Sequence, residues 1–412
     1  MNISWQRYNS SQTINIVGAF LILGLLRLLP FNFFASIALG HDIVVNNREG
    51  NAINFINYIA VLFLIAVLFV KLPSIKLRWK ELLSFVALIS IYFINFLNAP
   101  FVNGSWVLYQ VAFISIAALV HLLISNSRSS FTNYIETQRG LQIFVGILVL
   151  FALWVLCRLY LSYPLDYIVS QYNDAFINSV NDIGVMKQYF GYVSGFLLLY
   201  AFFMVTNYKL RIFIFVVVLC SAFGIRSFLI GIVGTLFFAS FKKPVLLFIM
   251  SLSIIVCSIF LWETVLLELV YDTRFYAYMN ALDIVQKFPF GVGLGGYPVY
   301  TEIYNNDLFA SFFNVDANLS YVPNSPESDI VHIFGSLGLG LGLVHLFIQL
   351  RILFLGLIRE FKMSPFQKCM FYYFVFMTAF GISEDTMFTV SYWIFFGIAS
   401  GIVASLKSDV HA

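Results

Sequence analysis

Long apolar runs alternate with short polar connections along nearly the whole chain. A membrane-spanning helix needs about 20 apolar residues, and about twelve runs approach or reach that length. The pattern predicts an all-α polytopic integral membrane protein that forms a single transmembrane domain over residues 1–412. The predicted spans cover residues 14–36, 52–70, 82–98, 105–124, 140–161, 187–206, 210–223, 227–241, 244–262, 329–355, 367–382 and 388–406. Spans 210–223 and 227–241 are short and meet at a tight turn, so a hairpin or re-entrant pair is an alternative there.

The composition agrees with this pattern. Hydrophobic residues make up 61% of the chain and charged residues 10%, whereas a soluble domain has about 25% charged residues. The net charge of +3 does not indicate a nucleic-acid partner, because the basic residues lie in short loops and form no single patch. All four cysteines fall inside apolar runs, so we expect neither a disulfide framework nor a metal site.

The distribution of Lys and Arg predicts the orientation. Basic residues concentrate in alternate connections, at 71–80, 128–139, 209–211, 242–243 and 359–362. By the positive-inside rule these connections are cytoplasmic, which places both termini inside. The segment 263–328 is then one large extracytoplasmic loop.

A glycine-rich stretch in that loop, KFPFGVGLGGY, matches the spacing G-x-G-x-x-G at Gly291, Gly293 and Gly296. A dinucleotide site also needs a strand before the first glycine and a helix at the third, but Pro289 and Pro298 flank the match. NAD is moreover absent outside the cell, so no nucleotide cofactor is expected. The glycines predict a close backbone approach with positive φ, an anion-binding nest, or a tight turn.

Ahead of the glycines, residues 273–287 have helical apolar spacing, which predicts an amphipathic helix on the membrane surface with Asp272 as its N-cap. Arg274 then stands in the first turn, where its positive charge opposes the helix dipole. This position favours an anionic ligand for Arg274. A simple ion pair with Asp272 or Asp283 is the alternative.

After the glycines, the stretch PESDIVHIFGSLGLGLGL begins a predicted span, with Ser325 as N-cap and Pro326 at the first helical position. Glu327 and Asp329 would lie in the first turn, where acids stabilise a helix in any case. His332 lies one turn from Asp329 on the same face. All three are candidate site residues, and helix stabilisation or packing is the alternative for each.

Two further arginines lie near the predicted outer face. Arg226, in FGIRSFLIGIVG, stands between two spans, where an arginine usually faces a cavity or a partner. Arg158 lies four residues from the outer end of its span and is the weaker candidate. Either side chain could instead extend to lipid headgroups.

Taken in order, GIRSFLIGIVG, TRFYAYMNALDIVQKFPFGVGLGGY, a long loop and PESDIVHIFGSLGLGLGL resemble the bacterial O-antigen polymerase and O-antigen ligase superfamily. The likeness covers roughly residues 220–345, about a third of the chain. In the ligases a His-Asn pair stands where Glu327 and Ser328 stand here. This departure favours a polymerase.

The resemblance implies a metal-independent glycosyltransferase of the bacterial inner membrane, without a cofactor. Its partners would be a glycan linked to undecaprenyl diphosphate and a chain-length regulator protein. Arg226 and Arg274 would bind the diphosphate, and Glu327 would accept a proton from the acceptor sugar. Arg158, Gly291, Gly293, Asp329 and His332 would contribute to substrate binding.

Three other functions are weighed against the polymerase. An O-antigen ligase would share most of the site. A lipid-linked glycan flippase or secondary transporter would usually show internal repeats and broken helices, and no repeat is evident in the sequence. A glycosyltransferase that uses polyprenyl-monophosphate sugars should carry an acidic pair in its first outer loop, where Asp42 and Glu49 are instead well separated.

Overall fold

The computed structural model describes residues 79–127, 139–180, 186–241, 273–304, 328–384, 386 and 389–406, with isolated positions between 18 and 67 and at 252. The described part is 86% helix and has no strand, which confirms the all-α prediction. The predicted spans 14–36, 52–70 and 244–262 lie mostly outside the described residues, and Asp272 and the loop residues 305–327 lie wholly outside them.

The described helices follow the predicted apolar runs closely. They are α1 Trp79–Asn98, α2 Gly104–Ser127, α3 Arg139–Ser162, α4 Leu165–Ser170, α5 Tyr172–Val180, α6 Lys187–Phe203, α7 Tyr208–Ala222, α8 Arg226–Ser240, α9 Thr273–Lys287, α10 Asp329–Arg359, α11 Pro365–Phe380 and α12 Val390–Ser405. Residues 297–304 are also helical. Nine of these helices match predicted spans with each end within four residues, and α9 has the predicted bounds of the amphipathic helix. The short helices α4 and α5 were not predicted.

Three helices of the described part are long and apolar enough to cross a membrane: Gly104–Ser125, Leu141–Ser162 and Asp329–Lys362. The shorter apolar helices include Leu82–Asn98, Arg226–Ser240 and Val390–Ser405. At about 1.5 Å per residue, α8 with its 15 residues is shorter than the hydrocarbon core of about 30 Å. These helices support a membrane protein. The count of twelve spans stays a prediction.

The core forms around α11 and α12. Helix α12 packs along α2, and α11 packs on α6, α8 and α12. Small residues allow these close approaches: an added Cβ at Gly397 would lie 2.5 Å from the Ala117 carbonyl oxygen, and one at Gly231 would lie 2.5 Å from the Phe376 ring. Small residues at helix contacts are typical of bundles in lipid, where backbone proximity replaces hydrophobic driving force.

Helix α10 is broken inside the bundle. Gly338 has φ 73° and ψ 179°, which are not helical angles, and it separates α10 into two half-helices. The segment 288–296 lies against this break: the amide of Val292 donates to the Gly335 carbonyl (2.8 Å) and the amide of Gly293 donates to the Ser336 carbonyl (3.0 Å). The inserted segment thereby pairs carbonyls of the interrupted helix, as an apolar environment requires.

The turns that the sequence places outside are in contact with one another. Phe101 and Asn103, between α1 and α2, donate backbone hydrogen bonds to Val292 and Leu294 of the inserted segment. The hydroxyl of Tyr172 donates to the Ser221 carbonyl at the end of α7 (2.6 Å). The turn between α11 and α12 contacts the starts of α8 and α10. The orientation of these turns relative to a membrane stays a prediction.

Candidate functional site

The α11–α12 turn, whose described residues are 381–384, 386 and 389, joins three elements that carry predicted site residues. It contacts the first turn of α8, which begins with Arg226, and the start of α10, which begins with Asp329. It also contacts α9, the helix that contains Arg274. These elements form the candidate site.

Arg226 is the first residue of α8 and its side chain is exposed. The next residue, Ser227, donates a hydrogen bond from its Oγ to Oε1 of Glu384 (3.1 Å). Only 2% of Ser227 and 9% of Glu384 are exposed, and a buried carboxylate is costly unless it accepts hydrogen bonds. This bond fixes the first turn of α8 on the α11–α12 turn and so determines where Arg226 leaves the bundle.

Asp329 is buried at the start of α10 and is bonded within the protein. One carboxylate oxygen accepts from the backbone amide of Thr386 (2.7 Å), and the other accepts from the Thr386 hydroxyl. The amide of Asp329 donates to the Gly381 carbonyl (2.8 Å). These contacts attach α10 to the α11–α12 turn and account for an acid at this position. A role for Asp329 in substrate binding stays a prediction.

The start of α10 differs from the sequence prediction. The helix begins at Asp329 with Ser328 at the N-cap position, so the predicted N-cap Ser325 was wrong. The physical reason is a tertiary contact: the Ser328 hydroxyl donates to the Ile382 carbonyl (2.8 Å) and does not cap its own helix. Glu327, the predicted proton acceptor, lies outside the described residues. His332 is buried one turn into α10, and its contact with substrate stays a prediction.

Helix α9 docks on the same turn. The hydroxyl of Tyr278 donates to the Ile382 carbonyl (2.6 Å) and lies 3.1 Å from the Ser328 Oγ. The buried face of α9 consists of Ala277, Ala281 and Ile284, which pack near Tyr297, Tyr300 and Val331. Leu282 lies off this face and is 57% exposed. Alanines allow close packing on the protein, and this contact determines the orientation of the helix.

The side chain of Arg274 lies outside the described residues, as does Asp272, but the other possible ion-pair partner, Asp283, is described. Asp283 forms an ion pair with Lys287 (2.8 Å) and accepts a hydrogen bond from the Tyr300 hydroxyl. Burial raises the pKa of Tyr300, and the hydrogen bond to Asp283 raises it further. Asp283 therefore already has two partners, Lys287 and Tyr300.

Arg158 lies on a different part of the bundle. Its guanidinium is 5.6 Å from the centre of the Trp154 ring, a cation–π contact within one turn of α3. Helix α3 packs mainly on α5, α6 and α7, whereas Arg226 and Asp329 are on α8 and α10. The cation–π contact is a structural account of Arg158, and its role in substrate binding stays a prediction.

The glycines of the inserted segment allow close backbone approach. Gly291 and Gly293 have φ of 72° and 94°, and an added Cβ at Gly291 would lie 2.6 Å from the amide nitrogen of Gly338. Their amides donate to the carbonyls of Phe288 (2.9 Å) and Ser336 (3.0 Å). These two amides are therefore used inside the protein, and the geometry agrees with a close backbone approach and a tight turn more than with an anion nest.

Sequence reasoning missed the residues that hold the site together: Ser227, Tyr278, Glu384 and Thr386. A usable signal was the acidic pair in GISEDTMF, because Glu384 lies in a short polar turn between two apolar runs. A carboxylate at such a position needs partners at the helix ends. Ser227 and Thr386 supply the hydrogen bonds here. Serine and threonine are too common in the sequence for these two to be singled out.

The geometry defines a helical bundle of membrane-protein character with a polar cluster at one end. No protein-family model matches the chain, and no curated protein matches it. The likeness to O-antigen polymerases and ligases therefore rests on the residues quoted above.

Proposed function

We propose that this protein is a polymerase of lipid-linked oligosaccharide repeat units, for O-antigen or another surface polysaccharide. It transfers a growing glycan from undecaprenyl diphosphate to a lipid-linked repeat unit on the outer face of the bacterial inner membrane. In this proposal the chain has about twelve spans, cytoplasmic termini and an extracytoplasmic loop over residues 263–328. The observation that carries the proposal is the hydrogen bond from Ser227 to Glu384 of the α11–α12 turn. Ser227 follows Arg226 directly, so this bond holds the first turn of α8, and with it the backbone of Arg226, against that turn.

The reaction suits arginine chemistry. The acceptor hydroxyl oxygen forms a bond to the anomeric carbon of the donor sugar, and the bond from that carbon to the diphosphate oxygen breaks. The hydroxyl proton passes to a base, for which Glu327 is the proposed residue. The undecaprenyl diphosphate leaves with additional negative charge, which Arg226 and Arg274 stabilise with bidentate hydrogen bonds. Resident metal ions and nucleotides are not needed for this step.

The position of Arg226 adds to its suitability. It stands at the N-terminus of α8, where the helix dipole gives a positive potential. An exposed guanidinium at this end can approach a diphosphate at the membrane surface while the hydrogen bond beneath it stays intact. Helix α9 brings Arg274 toward the same turn through Tyr278.

A lipid-linked glycan flippase or transporter is the second candidate, and one observation favours it. Helix α10 is broken at Gly338, and interrupted helices surround the substrate sites of many transporters. In this chain the inserted segment 288–296 pairs the Gly335 and Ser336 carbonyls. Because those carbonyls are paired by backbone of the same chain, we favour the polymerase. An O-antigen ligase remains the alternative within the same superfamily.

The proposed topology is tested by cysteine labelling. The native cysteines are first replaced, and Glu302→Cys and Lys362→Cys are made separately, since both side chains are exposed. We expect an impermeant maleimide to label position 302 in intact spheroplasts and position 362 only after the membrane is opened. Labelling of position 362 in intact spheroplasts would contradict its cytoplasmic placement. Labelling of position 302 only after the membrane is opened would contradict the extracytoplasmic loop.

The function is tested by the products that accumulate in cells. Glu327→Gln keeps the shape of the side chain and removes the basic oxygen, so it should slow transfer without loss of protein. We expect surface glycan with single repeat units in place of a ladder. The measurements are a gel of surface glycan and an extract of lipid-linked intermediates, with Glu302→Gln as the control acid in the same loop.

Each competing function leaves a different intermediate. A defective ligase would leave long polymer on the lipid carrier, and a defective flippase would leave the repeat unit facing the cytoplasm. Either result would overturn the polymerase assignment. A full ladder in Glu327→Gln would remove Glu327 from the mechanism but would leave the assignment of Arg226 to be tested separately.

A further inference from the structure

The contact between α1 and α10 contains a buried polar group of residues beside the α10 break. Asn95 and His345 are fully buried and Ser336 is 1% exposed. The Tyr92 hydroxyl, one turn from Asn95 on α1, lies 3.3 Å from Nε2 of His345. These four residues form what we call the α1–α10 polar layer. It shares no residue with the cluster around Arg226, and it does not depend on the proposed function.

The orientation of the Asn95 amide is determined by its donors. Its Nδ2 donates to the carbonyl oxygens of Phe290 and Ser336, both at 2.7 Å. The amide oxygen Oδ1 must therefore point away from these carbonyls, and it is buried without a hydrogen-bond partner. Phe290 belongs to the inserted segment, so Asn95 connects α1, the insert and the broken helix.

Two more atoms of this layer are also buried without partners: Oγ of Ser336 and Nδ1 of His345. The described residues contain six such atoms in total, and three of them belong to this one interface. Buried polar atoms are nearly always satisfied, because desolvation without a partner is costly. Their concentration here indicates a bound species that supplies the missing interactions.

The chemistry of the layer selects the class of that species. Asn95 Oδ1 can only accept hydrogen bonds or coordinate a cation, and Ser336 Oγ is a second oxygen donor atom on the adjoining helix. Ser336 lies at the C-terminal end of the half-helix that stops at Gly338, where the helix dipole is negative. A hard divalent cation usually takes carboxylate ligands, whereas these side chains are neutral, which suits a monovalent cation.

We propose that the α1–α10 polar layer binds an alkali cation, Na⁺ or K⁺, with Asn95 Oδ1 and Ser336 Oγ among its ligands. Water completes the coordination shell and satisfies His345 Nδ1. The cation links α1 to the first half of α10, so its binding stabilises the broken helix and the insert together. In interrupted membrane helices, the C-terminal ends of half-helices take part in coordinating coupling ions; here the carbonyls of Gly335 and Ser336 are already paired, so the side-chain oxygens supply the ligands.

The test compares salts at equal ionic strength. Purified wild-type protein in detergent is unfolded thermally in NaCl, KCl and choline chloride, over a range of concentrations. We expect the Tm to rise with the concentration of one alkali salt relative to choline chloride, because a ligand of the native state stabilises it by mass action. Equal Tm values in the three salts would overturn the proposal and leave buried water as the occupant.

Ser336→Ala locates the site. It removes Oγ without removing a hydrogen bond between protein groups, so the variant should fold, and we expect the apparent cation affinity to fall by about tenfold. Ser194→Ala is the matched control, since Ser194 is also fully buried with an unpartnered Oγ but lies on α6. If the Tm of Ser336→Ala rose with the alkali salt as much as that of the wild type, the cation would bind elsewhere and the site would be refuted. The same conclusion would follow if Ser194→Ala lost as much cation affinity as Ser336→Ala.

Discussion

Gly338→Ala should prevent most of the protein from folding, with a loss of stability of about 3 kcal/mol or more. Gly338 has φ 73° and ψ 179°, a conformation that residues with a Cβ rarely adopt. An added Cβ would overlap the Pro289 carbonyl oxygen and lie 2.6 Å from the amide nitrogen of Gly291. The inserted segment would have to move, and the hydrogen bonds from Val292 and Gly293 to α10 would break.

Gly340 provides a control two residues further along the same helix. An added Cβ there has nothing within 4 Å, so Gly340→Ala should be neutral or stabilising by about 0.4–1 kcal/mol. Both variants are compared by yield in fluorescence-detected size-exclusion chromatography and by thermal unfolding in detergent. If Gly338→Ala behaved like Gly340→Ala, α10 would be continuous and the inserted segment would be incorrectly placed.

The helices were predictable because their signal is local. Apolar runs bounded by polar turns determine where α1, α2 and α3 begin and end, and the helical spacing of residues 273–287 gave the bounds of α9. Lipid replaces water around such helices, so hydropathy carries most of the information about them. The direction in which α9 faces was not predictable, because it depends on Tyr297, Tyr300 and Val331 from other parts of the chain.

The break in α10 shows more clearly what could not be predicted from the sequence. The stretch GSLGLGLGL offers several glycines, and small residues of this kind are typical of close helix packing in membranes. Gly338 breaks the helix because Pro289 and Gly291 occupy the space beside it, and that contact joins residues far apart in the sequence. A glycine in the sequence indicates local backbone freedom, but it does not indicate which residues pack against it in the fold.

The acids of the site illustrate the same distinction. Asp329 was placed correctly at the start of a helix, and a helix-stabilising role was one of its two interpretations. Its bonds to Thr386, and the bond of Glu384 to Ser227, depend on how the α11–α12 turn meets α8 and α10. Residue type identified carboxylates near this end of the helices, whereas only the tertiary arrangement shows which of them hold other residues in place.

Under the proposed polymerase function, Arg226→Lys should reduce the rate of glycan polymerisation by about 10²- to 10³-fold. Lysine keeps the positive charge but lacks the planar fork that donates two parallel hydrogen bonds to a diphosphate. The side chain leaves the first turn of α8, which the bond from Ser227 to Glu384 holds in place. The loss is therefore expected at the chemical step, with protein abundance unchanged.

The rate is measured in membranes supplied with lipid-linked repeat units, by the appearance of a glycan ladder over time. Arg351→Lys is the matched control, because Arg351 is an exposed arginine of α10 near Ser84 of α1, and it should retain the wild-type rate. Ser227→Ala should give an intermediate rate, because Arg226 remains but its turn loses the bond to Glu384. A near-normal ladder in Arg226→Lys would contradict a diphosphate clamp and indicate that Arg226 extends to lipid headgroups, where either basic residue serves.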